Sequence, residues 1–295
     1  MDYGRPLEFG IFPVPEAARL GEIRDLVALA DERGLDLVGI QDHPYQKRYL
    51  DTMSLIAHLA ALTKRIRFFT DVVSLPLRPP AVLAKTAATI DLMSGGRFEL
   101  GLGAGAFWEA IEGYGGPRRT PGESLQALEE AIDISRLLWS DERSVRFEGE
   151  HYSLKGIKPG PQPAHPIEIW LGVYGPRAIR LLGRKADGWI PSLPTMPIAE
   201  LNGKHEVIDE AAVSTGRDPR AIRRLANVSG TITDSESAGF LRGPADQWID
   251  ELSGLALDHG IDTFVLWADG DPVEQLNRFA DLLPTVREVV AAERS

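Results

Sequence analysis

The chain has 295 residues, is 43% hydrophobic, and carries 32 Lys/Arg against 43 Asp/Glu for a formal charge of −11. The two signs are interspersed, which argues against nucleic acid or an anionic membrane as partner, since both need clustered cations. There is no cysteine, so disulfides, thiolate nucleophiles and Cys-ligated zinc or iron–sulfur clusters are excluded. No apolar run approaches the roughly 20 residues that cross a bilayer. The polar start Met1–Pro6 shows no signal peptide, and a cytoplasmic setting is expected.

Along the chain, short apolar runs alternate with longer runs of helical period, the pattern of a parallel sheet built from βα units. A first strand is predicted over Leu7–Pro13. The helix after it, Leu20–Arg33, has Leu20, Ile23, Leu26 and Ala30 on one face and Gly34 as its stop. Leu35–Asp42 and Asp51–Leu62 form the second unit. Ile66–Leu75 and Pro80–Met93 form the third, with Pro79 and Pro80 starting the helix. Phe98–Gly103 is the fourth strand, and its helix waits until Gly122–Trp139. The loop between them, Ala104–Pro121, exceeds the roughly 2–6 residues of an ordinary βα connection and is a candidate functional loop.

Val145–Pro166 reads as a surface excursion with one β-like piece, Val145–Leu154, before four prolines. Strands then follow at Ile167–Gly172, Gly188–Pro191, Ile222–Thr231 and Thr263–Trp267. Their helices are Pro176–Arg184, Ile198–Thr215, Pro244–His259 and Pro272–Glu293. Eight strands and eight helices at this length predict one (β/α)8 barrel, a TIM barrel, spanning residues 1–295 as a single domain.

In such a barrel the chemistry lies at the C-terminal strand ends. Those ends offer one histidine, several aromatics and glycines that permit close approach. They offer no carboxylate pair, metal cluster or nucleophile with its base. A flat aromatic ligand suits that inventory. His43 is the histidine, and the preceding Asp42 could hold its tautomer. A hydrogen-bonded loop histidine without a chemical role is an equal reading from position alone. Gly101–Ala106 formally matches G-x-G-x-x-G/A. It is rejected as a dinucleotide fingerprint because no helix follows promptly and no acidic residue stands about 20 positions on. Gly175, Pro176 and Arg177 open a helix whose N-terminus would suit a phosphate, although an ordinary helix start is the commoner meaning. Arg118, Arg119, Lys47 and Arg48 could hold a phosphate or an acidic cofactor tail, but such basic pairs are usually just solvated.

Five segments in order, GIQDHP (39–44), PPAVLAK (79–85), LMSGGR (92–97), ELGLGAG (99–105) and ADGW (186–189), resemble the bacterial-luciferase-like family of flavin- and deazaflavin-dependent oxidoreductases. With the βα alternation, the resemblance covers roughly the whole chain. It implies a barrel mouth that binds FMN or the deazaflavin coenzyme F-420. It makes His43 a proton donor or substrate contact near the reactive ring. Val72, Val73 and Ser74 then match a strand end where many members carry a non-prolyl cis peptide behind the ring. Gly103, Ala104 and Gly105 would lie beside the ring, and Gly172, Tyr174, Gly175, Pro176 and Arg177 would meet the phosphate or tail. The Asp42–His43 pairing looks more like the F-420 branch, while Pro44 departs from the aromatic many members have there.

The expected activity is hydride transfer between reduced coenzyme F-420 and a small organic substrate, by a chain that pairs as a homodimer. The alternatives are an FMN-dependent monooxygenase fed by a separate reductase and a non-catalytic flavin-binding protein. A phosphate-handling lyase or isomerase would need acid–base catalysts at the strand ends, where only Asp42 and Asp269 stand.

Overall fold

The computed structural model describes residues 2–295; Met1, the first residue of the polar start noted above, lies outside the described residues. Eight strands form the ring, all with parallel partners: β1 (Glu8–Ile11), β2 (Leu37–Ile40), β3 (Arg67–Thr70), β4 (Phe98–Gly103), β5 (Ile169–Leu171), β6 (Gly188–Trp189), β7 (Arg223–Ile232) and β8 (Thr263–Ala268). Pairing of β6 with β7 and of β8 with β1 closes the sheet, so the predicted (β/α)8 barrel is the observed fold.

The helices are α1 (Leu20–Glu32), α2 (Thr52–Leu62), α3 (Pro80–Ser94), α4 (Pro121–Leu138), α5 (Pro176–Lys185), α6 (Leu201–Val213), α7 (Ala245–His259) and α8 (Pro272–Glu293). Their ends follow local chemistry. Thr120 caps α4 in a capping box with Glu123, which satisfies two backbone donors that a helix start would leave free. α3 and α7 stop at Gly95 and Gly260 in the left-handed conformation, where a Cβ would be strained.

Strand alternation sorts the side chains into two cores. Outward residues such as Phe9, Val38, Phe68, Leu100 and Phe264 meet the helices in the main core. Inward residues Leu37, Phe69, Trp170, Ile190, Leu225 and Val265 plug the barrel. Below that plug, at the strand starts, Arg67 and Arg223 both pair with Glu8, and Arg67 also reaches Glu99. Above it lies the mouth.

Several local expectations are corrected. The third strand does not run unbroken over Ile66–Leu75: it stops at Thr70, passes through a cis Asp71–Val72 peptide, and resumes only as Val73–Ser74 against β4. The loop after β4 contains a short helix, Trp108–Gly113. The excursion is an antiparallel hairpin, Val145–Glu148 with Ser153–Ile157, and not a single strand-like piece. Ile198–Glu200 is a 3-10 turn ahead of α6, and Arg242–Gly243 adds a short parallel strand to β7.

Candidate active site

The second strand carries the histidine to the mouth. Leu37 points into the barrel plug and Val38 outward, and beyond the strand end at Ile40 the chain carries His43 to Tyr45 and Phe107 while Asp42 turns to Arg78. His43 is half-buried. Its Nδ1 lies 2.7 Å from the Tyr45 hydroxyl. Its ring packs edge-on to Phe107 at 5.7 Å, and Tyr45 stands 6.2 Å from the same Phe107. Burial pushes the His43 pKa below its ordinary value, and the Asp42 charge opposes this only in part. The imidazole is therefore neutral at pH 7. Burial pushes the Tyr45 phenol up to about 12, so it stays protonated and can donate to Nδ1, which leaves Nε2 to carry the ring proton.

Asp42 does not hold the imidazole. Its carboxylate accepts from Arg78 Nε and Nη2 at 2.8 and 2.7 Å and from the Ser74 N–H at 3.1 Å. The same guanidinium reaches Asp51 at 2.6 Å. At 2% exposure, Asp42 instead clamps the end of β2 to the segment after β3. The partner expected for His43 from its sequence neighbour is thus Tyr45, two residues on.

Val72 follows the cis bond, and its side chain lies over three strand-end glycines. A Cβ at Gly103 would stand 2.8 Å from Val72 Cγ2, and one at Gly172 or Gly101 about 3.1 or 3.2 Å from its methyls. The glycines on β4 and β5 therefore seat Val72, which forms an apolar ledge at the mouth; they are not bare backbone. Val73 and Ser74 are buried in the short pairing with β4. Ala104 is half-buried against the core, and Gly105 turns with φ 106° beneath Pro76 and Trp108.

Across the mouth, the Tyr174 hydroxyl accepts from the Ser192 N–H at 3.0 Å and ties the ends of β5 and β6 together. Gly175 caps α5 with no side-chain partner, and Pro176 fills the first turn. Arg177 is exposed and faces an outer groove beside Arg180, Arg184 and Glu129, between α4 and α5. Its side chain is on the rim, not in the mouth. Arg118 is paired with Glu112 at 2.6 Å, and Arg119 lies over the Tyr152 ring. Lys47 and Arg48 are exposed.

Two open clefts flank the centre. One of about 690 Å³ runs between Pro44, Leu75, Arg78, Tyr114, Arg119 and Tyr152. The other, of about 520 Å³, is lined by Phe12, Pro13, Trp267 and Gly270, where Phe12 and Trp267 stand 5.3 Å apart. Among the described residues there is no group of acidic and histidine side chains able to hold a metal, and no helix is long and apolar enough to cross a membrane.

Sequence reasoning missed Arg78, Asp71 and Asn227. Arg78 had a signal only in hindsight, as a cation four residues after the strand-three end. Asp71 and Asn227 reach the floor of the mouth from β3 and β7. Asp71 Oδ2 and Asn227 Oδ1 are closed off from solvent without a hydrogen bond.

A closed parallel barrel thus carries at one mouth a histidine, an apolar ledge and a helix start with no side-chain cap. Residues 6–239 match the model of the luciferase-like monooxygenases, and the chain belongs to that family. Curated relatives include the F-420-dependent glucose-6-phosphate dehydrogenase of Kineococcus radiotolerans, 35% identical over 64% of this chain and 57% of that protein. The enzyme of the same name from Microbacterium testaceum is 33% identical over 76% of this chain and 68% of that one. The matches thus span about three-fifths to two-thirds of those relatives' length. Among solved structures, an F-420-dependent secondary alcohol dehydrogenase in complex with an F-420–acetone adduct superposes with a TM-score of 0.86 at 19% identity, covering 96% of this chain and 99% of that one.

Proposed function

We propose that this chain is a coenzyme F-420-dependent oxidoreductase that moves a hydride between the deazaflavin and a small organic substrate. The observation that carries the reading is the pairing, at one barrel mouth, of a neutral His43 with the Val72 ledge seated on Gly101, Gly103 and Gly172. The names of the curated relatives support the same cofactor.

The residues present fit such a group. The ledge offers an apolar face to a ring, and the uncapped start of α5 offers backbone N–H groups and the positive helix end to a phosphate. When bound, the deazaflavin accepts or gives the hydride at a ring carbon. His43 holds the accompanying proton: its neutral ring takes it from a substrate hydroxyl as the carbon is oxidised, and returns it in the reverse direction. Tyr45 orients that imidazole, and the Asp42–Arg78 clamp fixes the strand end that carries it. Of the residues expected to touch the cofactor, Val72, Ala104, Gly105, Gly175 and Pro176 stand at the mouth or its rim. Asp42, Val73, Ser74, Gly103 and Gly172 support from behind.

FMN with oxygen chemistry is the second reading. It is favoured by the family's own description and by a structural neighbour, a type II Baeyer–Villiger monooxygenase in complex with FMN, of TM-score 0.77 at 19% identity. That reading requires a separate reductase.

Titration of the purified protein with coenzyme F-420 and with FMN, followed by tryptophan quenching, separates the two. Tight F-420 binding with weak FMN binding is expected. The reverse would replace hydride transfer by monooxygenation, and binding of neither would overturn both.

A further inference from the structure

The floor of the mouth contains polar groups that the reaction above does not use. On β3, Phe69 belongs to the barrel plug, and two residues on, at the strand end, Asp71 rises above it. Its Oδ2 faces Gly39 of β2, where a Cβ would stand 3.1 Å away, and it has no hydrogen bond. On β7, Leu225 belongs to the plug and Asn227 rises above it in the same way. Asn227 is 5% exposed, its Oδ1 is also unpartnered, and its amide nitrogen makes a long 3.4 Å contact with Ser192 Oγ and also acts on the Asp71 carboxyl across the barrel. Buried polar atoms are nearly always paired, so two unpaired oxygens at one level of one barrel call for a ligand group.

We propose that Asp71, Asn227 and Ser192 form a hydrogen-bonding socket in the barrel floor for the imide edge of a bound flavin-type ring, and that Asp71 must be protonated when the ring is seated. The proposal rests on the cofactor reading above. An imide edge presents one N–H between two carbonyls. A neutral carboxyl donates to one such carbonyl, and the Asn227 oxygen accepts the N–H. An ionised carboxylate has no proton to donate and would face the ring carbonyls with like charge.

The surroundings supply no countercharge. Gly39 of β2, Phe69 of β3, Asn227 of β7 and Ser192 beyond the end of β6 are uncharged, and Val72 lies beside it in the chain. The histidine at the mouth, His43, responds to burial and to Asp42. Burial accordingly pushes the Asp71 carboxyl up to about 7, against the opposing hydrogen-bonding effect of the Asn227 side chain. Seating the ring then takes up one proton above that pH and none well below it.

The test is the affinity for oxidised coenzyme F-420 and for FMN from pH 6 to 9, in wild type, Asp71→Asn and Asp71→Ala. Wild-type affinity should weaken by up to roughly tenfold per pH unit above about 7 relative to Asp71→Asn, whose amide keeps a donor and never ionises. Asp71→Ala should bind weakly at every pH. The same slope in wild type and Asp71→Asn would assign the titration to another group and overturn the socket while leaving the cofactor reading intact. Binding of neither cofactor at any pH would overturn both. Should the variants fail to fold, calorimetry of wild type at pH 8 in two buffers of different ionisation enthalpy decides. Uptake of about one proton per ring bound is expected, and no uptake would overturn the proposal.

Discussion

His43 shows how a mouth residue acquires its chemistry from neighbours that are not beside it in the expected sense. Its pKa lies below the ordinary histidine value because burial penalises the cation more than Asp42 favours it. The proton-accepting form is therefore present at neutral pH and is lost as pH falls through that lowered value. The expected profile of kcat/KM for substrate oxidation has an acid limb below about 6.5. His43→Ala should cut turnover by about 100-fold or more while leaving cofactor affinity within a few-fold. Equal loss of both would make it a structural residue. The histidine itself was readable from its strand-end position. Its partner was not, because Asp42, adjacent in sequence, is taken up by Arg78 from the segment after the third strand.

At the scale of elements, the mouth is held by side chains that stitch one βα unit to the next. Arg78, ahead of α3, closes Asp42 of the β2 end and Asp51 at the α2 cap into one cluster. Removing the guanidinium leaves Asp42 buried and charged, so Arg78→Ala should cost about 3–5 kcal/mol in thermal or urea unfolding. A loss under about 1 kcal/mol would show that Asp42 relaxes to water.

A second stitch is His165 near the end of the excursion, which bridges Asp91 of α3 and Glu99 of β4 at 2.9 and 3.1 Å. Those two carboxylates push its pKa up to about 10. Its folded pKa is raised, so its contribution to stability is fully present below about 6.5 and lost as pH rises through about 10. His165→Gln should therefore lower the melting temperature at pH 7 and narrow its gap to wild type at pH 10.5. Glu130 works likewise on the hairpin tip, accepting the Glu150, His151 and Tyr152 N–H groups at 2.8–3.0 Å. In sequence it reads as one more acidic residue on a helix, since the backbone it grips lies twenty residues away.

For the molecule as a whole, the apolar face of each helix turns inward, yet Leu62 at the end of α2 and Leu92 and Met93 at the end of α3 stay exposed. We propose them as the face of the expected homodimer. Sedimentation should report twice the 32.3 kDa chain, and Leu92→Asp with Met93→Asp should return it to the single-chain mass. A dimer indifferent to both changes would place the interface elsewhere. Calorimetry should show one cooperative transition if residues 1–295 fold as one domain.

Composition and periodicity alone determined the barrel. The short apolar runs of the strands and the helical stripe of α1 are local patterns, and a right-handed βα repeat of this length has few ways to close. For the site they gave only candidates: position alone left His43 equally readable as a loop histidine, and it was the family resemblance that pointed to His43 and the strand-end glycines. Only the tertiary structure decided what those residues meet. It turned the strand-four and strand-five glycines into the seat of Val72, sent Asp42 to Arg78 and carried Arg177 to the outer groove. It also brought Asp71 and Asn227 together from strands about 150 residues apart. The reason is physical: periodicity records which face of an element is buried, whereas hydrogen bonds, ion pairs and close contacts depend on distances across the barrel that no local pattern encodes.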